Sequence, residues 1–306
     1  MSLSRSSETI ADPFSEVLAA LGARSVRGTG LEAAGDWALA FDGRARLKFV
    51  AVTRGRCWLL LRDHSPEALV EGDVVLISNT CYTVASDPAV EPIDGMPLYA
   101  SPGHDRVRLG TGDETVLIGG GSGFAEGSGA FVLDALPKFL RVDRTSSTAE
   151  AVSSTLNALR TEVAHAELGG SLVAERLAEI LMIAAVRAFV ATSPKNSVGW
   201  ITALADPRIG KALGLLHANV AYRWTVPMLA SEVGMSRSAF TQRFTERVGR
   251  SPLDYLTHWR MVLAQQKLNE NQTVATVAAA VGYNSQSAFA HAFKRTLGRT
   301  PRSDVW

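Results

Sequence analysis

Leu229-Ala230-Ser231-Glu232-Val233-Gly234 is repeated as Val277-Ala278-Ala279-Ala280-Val281-Gly282. Beyond it, Ser238-Ala239-Phe240, followed by Phe244, Gly249 and Pro252, is repeated as Ser287-Ala288-Phe289, followed by Phe293, Gly298 and Pro301. The copies lie 48 residues apart before the turn and 49 after it, so the second turn is one residue longer. Each copy reads as a helix, a glycine turn and a second helix. Thr225 or Thr273 caps the first helix, Gly234 or Gly282 ends it in a left-handed conformation, and Ser236 or Ser285 caps the second. At roughly 100° per residue, Phe240, Phe244, Arg247 and Val248 share one arc of the second helix, while Ser238, Thr241, Gln242 and Thr245 share the other. The aromatic arc must be buried, which leaves small hydrogen-bonding side chains facing outward. That is what a helix needs in order to enter a DNA major groove and reach base edges. In the second copy the same face carries Ser287, Ala290, His291 and Lys294. One copy alone could be a helical hairpin of an ordinary all-α domain; two copies favour the nucleic-acid reading. Between them, Pro252 to Leu268 predicts a helix of about 16 residues, roughly 24 Å long. Such a rod is stiff enough to space two reading helices along a groove that recurs every ~34 Å.

The Ser238-Ala239-Phe240…Phe244…Gly249…Ser251-Pro252…Tyr255-Leu256…Arg260…Ala264…Leu268 run and the Val277-Ala278…Val281-Gly282-Tyr283…Ser287…Phe289…Phe293-Lys294…Gly298…Pro301 run resemble one known pattern. It is the DNA-binding domain of the AraC/XylS family of bacterial transcription regulators, matched over roughly residues 205 to 306. The resemblance implies double-stranded DNA as partner, and RNA polymerase as a second one if the protein activates. It places Arg237, Ser238, Thr241, Gln242, Arg243, Gln286, Ser287, His291, Lys294 and Arg295 at the DNA. Arg237, Arg243, Arg247, Lys294, Arg295 and Arg299 are expected to hold phosphates, and Ser238, Thr241, Gln242, Ser287 and His291 to face bases. The family usually has arginine where Gln242 and His291 stand here, so the base preference is this chain's own.

Charge supports the same division. The chain carries 31 Lys+Arg against 30 Asp+Glu, but from Arg208 onward the count is 13 against 5, leaving 18 against 25 before it. A basic end on an acidic body is the electrostatic footprint of phosphate contact. A length of 306 residues predicts two domains or a little more, and a hydrophobic share of 46% with 20% charged is that of a globular protein. Met1 to Asp12 is polar and serine-rich, a frayed tail rather than a signal peptide. The apolar run from Ile180 to Val190 is interrupted by Arg187 and too short to cross a bilayer. These features predict a cytoplasmic protein without a membrane partner, in which Cys57 and Cys81 are reduced, buried thiols in strands.

In the amino-terminal half, Asp12 to Leu21 reads as a short amphipathic helix with Phe14, Val17, Leu18 and Leu21 on one face. The period then shortens. Trp37 to Phe41, Leu47 to Val52, Cys57 to Leu61, Val74 to Ile77, Tyr82 to Val84 and Thr115 to Ile118 are short apolar or alternating runs separated by turn signals. They predict a β-sandwich or barrel, with Asp87 to His104 as a long irregular loop. Arg54-Gly55-Arg56-Cys57-Trp58-Leu59-Leu60-Leu61, Glu71-Gly72-Asp73-Val74-Val75-Leu76-Ile77 and Leu133-Asp134-Ala135-Leu136-Pro137 resemble the cupin-type sensor domain of a branch of AraC-like regulators, over roughly residues 20 to 142. Cupin barrels often hold a metal through clustered histidines and a carboxylate. Here Val50 and Thr83 stand where such a histidine commonly does, and His64, His104, His165, His217, His258 and His291 are scattered. No metal, cofactor or catalytic residue is therefore expected. Gly119-Gly120-Gly121-Ser122-Gly123 lacks the lysine and hydroxyl of a phosphate cradle and reads as a turn or barrel bend. No Gly-X-Ser-X-Gly elbow marks a nucleophile. Trp37, Phe49, Trp58, Tyr82 and Tyr99 either line a pocket for a small-molecule effector or fill the interior.

Two helices follow the polar break at Thr145-Ser146-Ser147-Thr148, from Ala149 to Leu168 and from Ser171 to Thr192, divided by Gly169-Gly170. Leu172, Leu177, Ile180, Leu181, Ile183, Ala184 and Val186 give the second a face wider than one stripe. The sensor core would take one side, and either more core or a homodimer contact the other. The expected architecture is α+β and multidomain. A cupin-like β-barrel or sandwich spans residues 1–143, and a helical connector and dimerisation region spans 144–200. An all-α DNA-binding domain with two helix-turn-helix motifs spans 201–306. The function expected is transcription regulation, as activator or repressor. Its rivals are a cupin-type metal-dependent enzyme with a helical appendage and a DNA-repair protein, which would need a reactive thiol in a basic setting.

Overall fold

The computed structural model describes residues 12–20, 27–100, 105–124, 129–143, 148–164, 168–194 and 197–301. Residues 1–11 of the polar tail, Leu21, His104, His165 and residues 145–147 lie outside them. Contacts divide the chain into two compact units, Ala23–Ser193 on one hand and Met1–Gly22 with Pro194–Trp306 on the other. The first helix, α1 (Pro13–Ala20), thus belongs with the carboxyl-terminal unit.

The unit Ala23–Ser193 is built on strands β1 (Arg27–Ala33), β2 (Ala38–Phe41), β3 (Arg46–Arg54), β4 (Arg56–Leu61), β5 (Glu67–Val70), β6 (Val74–Ser78), β7 (Tyr82–Ala85), β8 (Ile93–Asp94), β9 (Arg106–Leu109), β10 (Thr115–Gly123) and β11 (Phe139–Arg141). They form a six-stranded sheet ordered β11-β6-β3-β10-β1-β9 and a five-stranded sheet ordered β5-β4-β7-β2-β8. No strand among the described residues belongs to both, so the fold is a sandwich and not a closed barrel. Alternation along each strand explains the core. Val50 and Val52 of β3 meet Leu31, Ile77 and Leu117 from their own sheet and Leu39, Leu59 and Val84 from the other. The intervening Leu47, Phe49 and Ala51 are equally buried but face the opposite side.

All six runs read as strands are strands. The alternation rule misses β5, β8, β9 and β11, which are the four edge strands and short, and β1, whose Arg27-Gly28-Thr29-Gly30 start offers little apolar signal. The glycine run also departs from expectation. Gly119 to Gly123 is not a turn but the continuation of β10, paired with β1 on one side and β3 on the other. Glycine is used there because a Cβ at Gly121 would stand 2.6 Å from the Leu47 carbonyl oxygen. Within the expected loop from Asp87, β8 pairs in parallel with β2, and Met96–Tyr99 forms a 3-10 turn. Cys57 is buried, and burial pushes its thiol up to about 12; Cys81 is exposed, because it precedes β7 instead of lying in it.

After α2 (Ala130–Leu133), the helices α3 (Ala149–Ala164) and α4 (Gly170–Thr192) pack on each other, and α4 also packs on β1, β6 and β10. Gly169, at φ +82°, reverses the chain between them. The helices expected as a separate connector over 144–200 are therefore part of the sandwich unit up to Ser193, whereas the amino-terminal helix leaves the 1–143 domain. The reason is where their apolar faces find cover.

The other unit continues with α5 (Trp200–Ala203), α6 (Pro207–Ala218), α7 (Val226–Glu232), α8 (Arg237–Val248), α9 (Pro252–Asn269), α10 (Val274–Ala280) and α11 (Gln286–Leu297). The 18-residue α9 is its spine, touching α8 as well as α10 and α11. Met261, Ala264 and Leu268 of α9 close a core with Val277, Val281, Phe289 and Phe293. Phe14 and Val17 of α1 are buried on this unit, against α6 and α9. Beneath α1, His217 stacks on Trp259 at 4.5 Å and shares a 2.7 Å hydrogen bond with the Tyr255 hydroxyl. Burial pulls the His217 imidazole down to about 3, so it is a neutral core ring.

Candidate nucleic-acid interface and ligand cavity

All four expected caps are made. Thr225 Oγ1 accepts from the Met228 amide at 3.4 Å, Ser236 Oγ from Ala239 at 3.3 Å, Thr273 Oγ1 from Thr276 at 3.2 Å and Ser285 Oγ from Ala288 at 3.2 Å. Each satisfies an amide that the first turn leaves without a partner. Gly234 and Gly282 sit at φ +65° and +84°, and Gly249 and Gly298 close α8 and α11 at +82° and +77°. With Phe240, Phe244, Phe289 and Phe293 fully buried, the opposite faces are turned outward. Arg237, Ser238, Gln242, Arg243, Gln286, Ser287, His291, Lys294 and Arg295 are exposed, and Thr241 is partly so. Gln242 Nε2 donates to Glu246 Oε1 at 2.8 Å.

Two arginines expected to hold phosphates are engaged elsewhere. Arg243 Nε donates to Asp206 Oδ2 at 2.9 Å, and Arg247 Nε stands 4.0 Å from the same oxygen with only 15% of its side chain exposed. Arg247 lies on the buried arc that its helical phase indicates, so it braces α8 from below. Asp206 also caps α6, accepting from the Arg208 and Ile209 amides at 3.1 Å each. Arg260 was legible only as part of the family pattern. Its guanidinium donates to the carbonyls of Val220 and Tyr222 at 2.8 Å each and lies 5.8 Å from the Tyr283 ring centre, fixing the loop before α7 onto α9.

A second site lies within the sandwich unit. Between the sheets is a cavity of about 600 Å³, walled by apolar Leu31, Phe41, Val50, Val84, Met96 and Leu117 and by polar Arg46, Lys48, Tyr82, Asp94 and Tyr99. Of the five aromatic residues expected there, Tyr82 and Tyr99 line it. Trp37 belongs to the surrounding core without reaching the cavity. Phe49 and Trp58 are each one residue out of phase with the inward positions of β3 and β4, and so face away. Tyr82 stacks on Phe41 at 5.3 Å, and the Tyr99 hydroxyl donates to the Gly30 carbonyl at 3.3 Å. Burial raises both phenols far above neutral pH. Burial first, and Arg46 second, pull the Lys48 amine down to about 8. Among the described residues no three His, Cys, Asp or Glu side chains are placed to hold a metal ion, and Val50 turns an apolar side chain into the cavity. These residues do not fit a cupin metal.

A β-sandwich followed by a basic all-α unit with twin, identically capped helix-turn-helix motifs defines a two-domain DNA-binding regulator. The comparisons agree. Residues 12–191 match the cupin family, and residues 229–304 match the helix-turn-helix domain family. Over 293 residues the chain is 41% identical to a protein of Streptomyces antibioticus described as an AraC-like transcription regulator, covering 95% of this chain and 97% of that one. A Streptomyces lividans protein of the same description is 40% identical over 95% of this chain and 96% of its own. The HTH-type transcriptional regulator AlkR of Acinetobacter baylyi is 31% identical over 88% and 90%. The chain belongs to the AraC-like transcription regulators that carry an amino-terminal cupin domain. It is a regulator and not an enzyme, which removes the metal-dependent rival.

Proposed function

We propose that the protein reads specific duplex DNA through the outer faces of α8 and α11, and that a small molecule held between its two sheets biases that reading. It acts in the cytoplasm as a homodimer, and meets RNA polymerase where it activates. The observation that carries the reading is the repeated cap, glycine and cap, which leaves the same polar face exposed twice. Arg237, Lys294, Arg295 and Arg299 hold phosphates; Ser238, Thr241, Gln242, Ser287 and His291 meet base edges, with Gln286 opening α11 at the groove. Two replacements separate these roles on selected and scrambled duplexes. Gln242→Ala is expected to cost about 1–3 kcal/mol at one base position only, whereas Arg295→Ala weakens binding to every sequence and lowers the salt slope by about one. Equal loss on both duplexes for Gln242→Ala would remove that residue from base reading.

The dimer reading rests on α4, where Leu172, Val173 and Ile180 remain 58%, 43% and 51% exposed although Ala178, Leu181, Met182 and Val186 of the same helix are buried. Apolar side chains grouped on one helix favour a self-complementary contact. Sedimentation at micromolar concentration is expected to show a dimer for the native chain and a monomer for Ile180→Glu. A native monomer overturns it.

A further inference from the structure

We infer that the cavity between the sheets binds a carboxylate-bearing apolar small molecule, with Arg46 and Lys48 holding the carboxylate and the aromatic and aliphatic wall holding its body. The inference rests on the proposed effector role of this unit and gives that effector a chemical class.

Three features of the site lead to it. Arg46, Lys48 and Val50 are successive inward positions of β3, so two cations share one wall of a chamber whose opposite wall is Phe41, Tyr82, Val84 and Met96. Among the described residues no carboxylate lies within ion-pair distance of either cation. The acid on the wall, Asp94, has Oδ1 bound by the Met96 amide at 2.9 Å. A lysine taken from water, as Lys48 is, calls for a counter-ion, and the described residues supply none. Burial first, and the neighbouring Arg46 second, lower the Lys48 amine.

The glycine run on β10 is what makes room. Gly119 and Gly121 pair with Val50 and Lys48 and face the same side. A Cβ on Gly121 would fall 2.2 Å from Lys48 Cδ, so the lysine stem lies across a bare strand to reach the chamber. Counting Arg46 and Lys48 against Asp94, the wall keeps a net charge that suits a single carboxylate better than a doubly charged phosphate monoester. The Tyr82 hydroxyl, on the facing sheet, is a further donor at the same chamber.

Calorimetric titration of the full-length protein tests this with two probe pairs, decanoate against decan-1-ol and 4-butylbenzoate against 4-butylbenzyl alcohol, with decyl phosphate and decylamine as further arms. At least one carboxylate is expected to bind about tenfold or more tightly than its alcohol, as loss of a charged hydrogen bond implies. Lys48→Met and Arg46→Met are expected to abolish that preference while leaving alcohol binding in place, which also reports that the variants are folded. Equal affinity within both pairs, no binding by either carboxylate, preference for decylamine or decyl phosphate, or an unchanged preference in both variants each overturns the inference. Operator affinity is read in parallel. A carboxylate that binds without altering it leaves the site standing and removes the effector role, and loss of carboxylate binding with DNA binding intact removes the site alone.

Discussion

Asp206→Ala is expected to lower the stability of the DNA-binding unit by about 3 kcal/mol, seen as a fall on the order of 10 °C in its calorimetric transition. One 7%-exposed carboxylate does two jobs. It caps α6 through two backbone amides, and it neutralises the guanidinium groups of Arg243 and Arg247 on α8. A lost cap costs about 1 kcal/mol. The larger share comes from Arg247, whose Nε and Nη1 are buried without a hydrogen-bond partner and depend on the nearby charge. Arg243 reaches solvent, which keeps the total from rising further. Asp206→Asn separates the parts, since the amide oxygen can still cap while the charge is gone, and about half the loss is expected. Burial pushes the Asp206 carboxyl up, but hydrogen bonds from Ile209, Arg243 and Arg208 outweigh it and the net shift is downward. A carboxyl with a lower folded than unfolded value stabilises above the unfolded value, near 3.8, and loses that contribution as pH falls below it. The native chain is therefore expected to lose stability over that acid range more steeply than Asp206→Asn.

Gly282→Ala is expected to cost about 3–5 kcal/mol and Gly234→Ala only about 1–2, although the two glycines occupy the same place in the repeated motif. Both are left-handed, so both replacements carry the strain of an L-residue at positive φ. Around Gly234 a Cβ would meet nothing within 4 Å; at Gly282 it would meet Ala221 O at 2.5 Å and Ala221 Cα at 2.9 Å. Those are backbone atoms of the loop that Arg260 fixes onto α9, and they cannot swing aside as a side chain would. Denaturant melts of the two variants in parallel give the comparison, and equal losses would show that the loop before α7 is free to yield.

What the sequence disclosed followed the range of the interactions involved. The caps at Thr225, Ser236, Thr273 and Ser285 reach three residues along the chain, and the phenylalanine arcs follow one helix, so both could be read directly. The central strands other than glycine-rich β1 announce themselves by alternation; the edge strands, buried on fewer sides, do not. Lys48 is in step with Val50 and Val52, whereas Phe49 is not, and that alone puts the lysine at the cavity and the aromatic ring behind the sheet. The glycine run of β10 reads as a turn or barrel bend because its strand partners, Thr29 and Val50 for Gly119, are far away in sequence. Asp206 with Arg243, Arg260 with Val220, and α1 with α6 and α9 are likewise pairings between distant segments, for which a single sequence offers no local mark.

The placement of the first helix bears on how the protein is born. Phe14 and Val17 leave the ribosome well before the surfaces of α6 and α9 that receive them, which are synthesised only when residues 207–269 emerge. At roughly 5–20 residues per second that is a delay on the order of ten seconds or more, during which the sandwich has time to fold while this small greasy segment waits. A piece begun at residue 194 would be made without that cover, leaving Trp200 and His217 without the helix that shelters them.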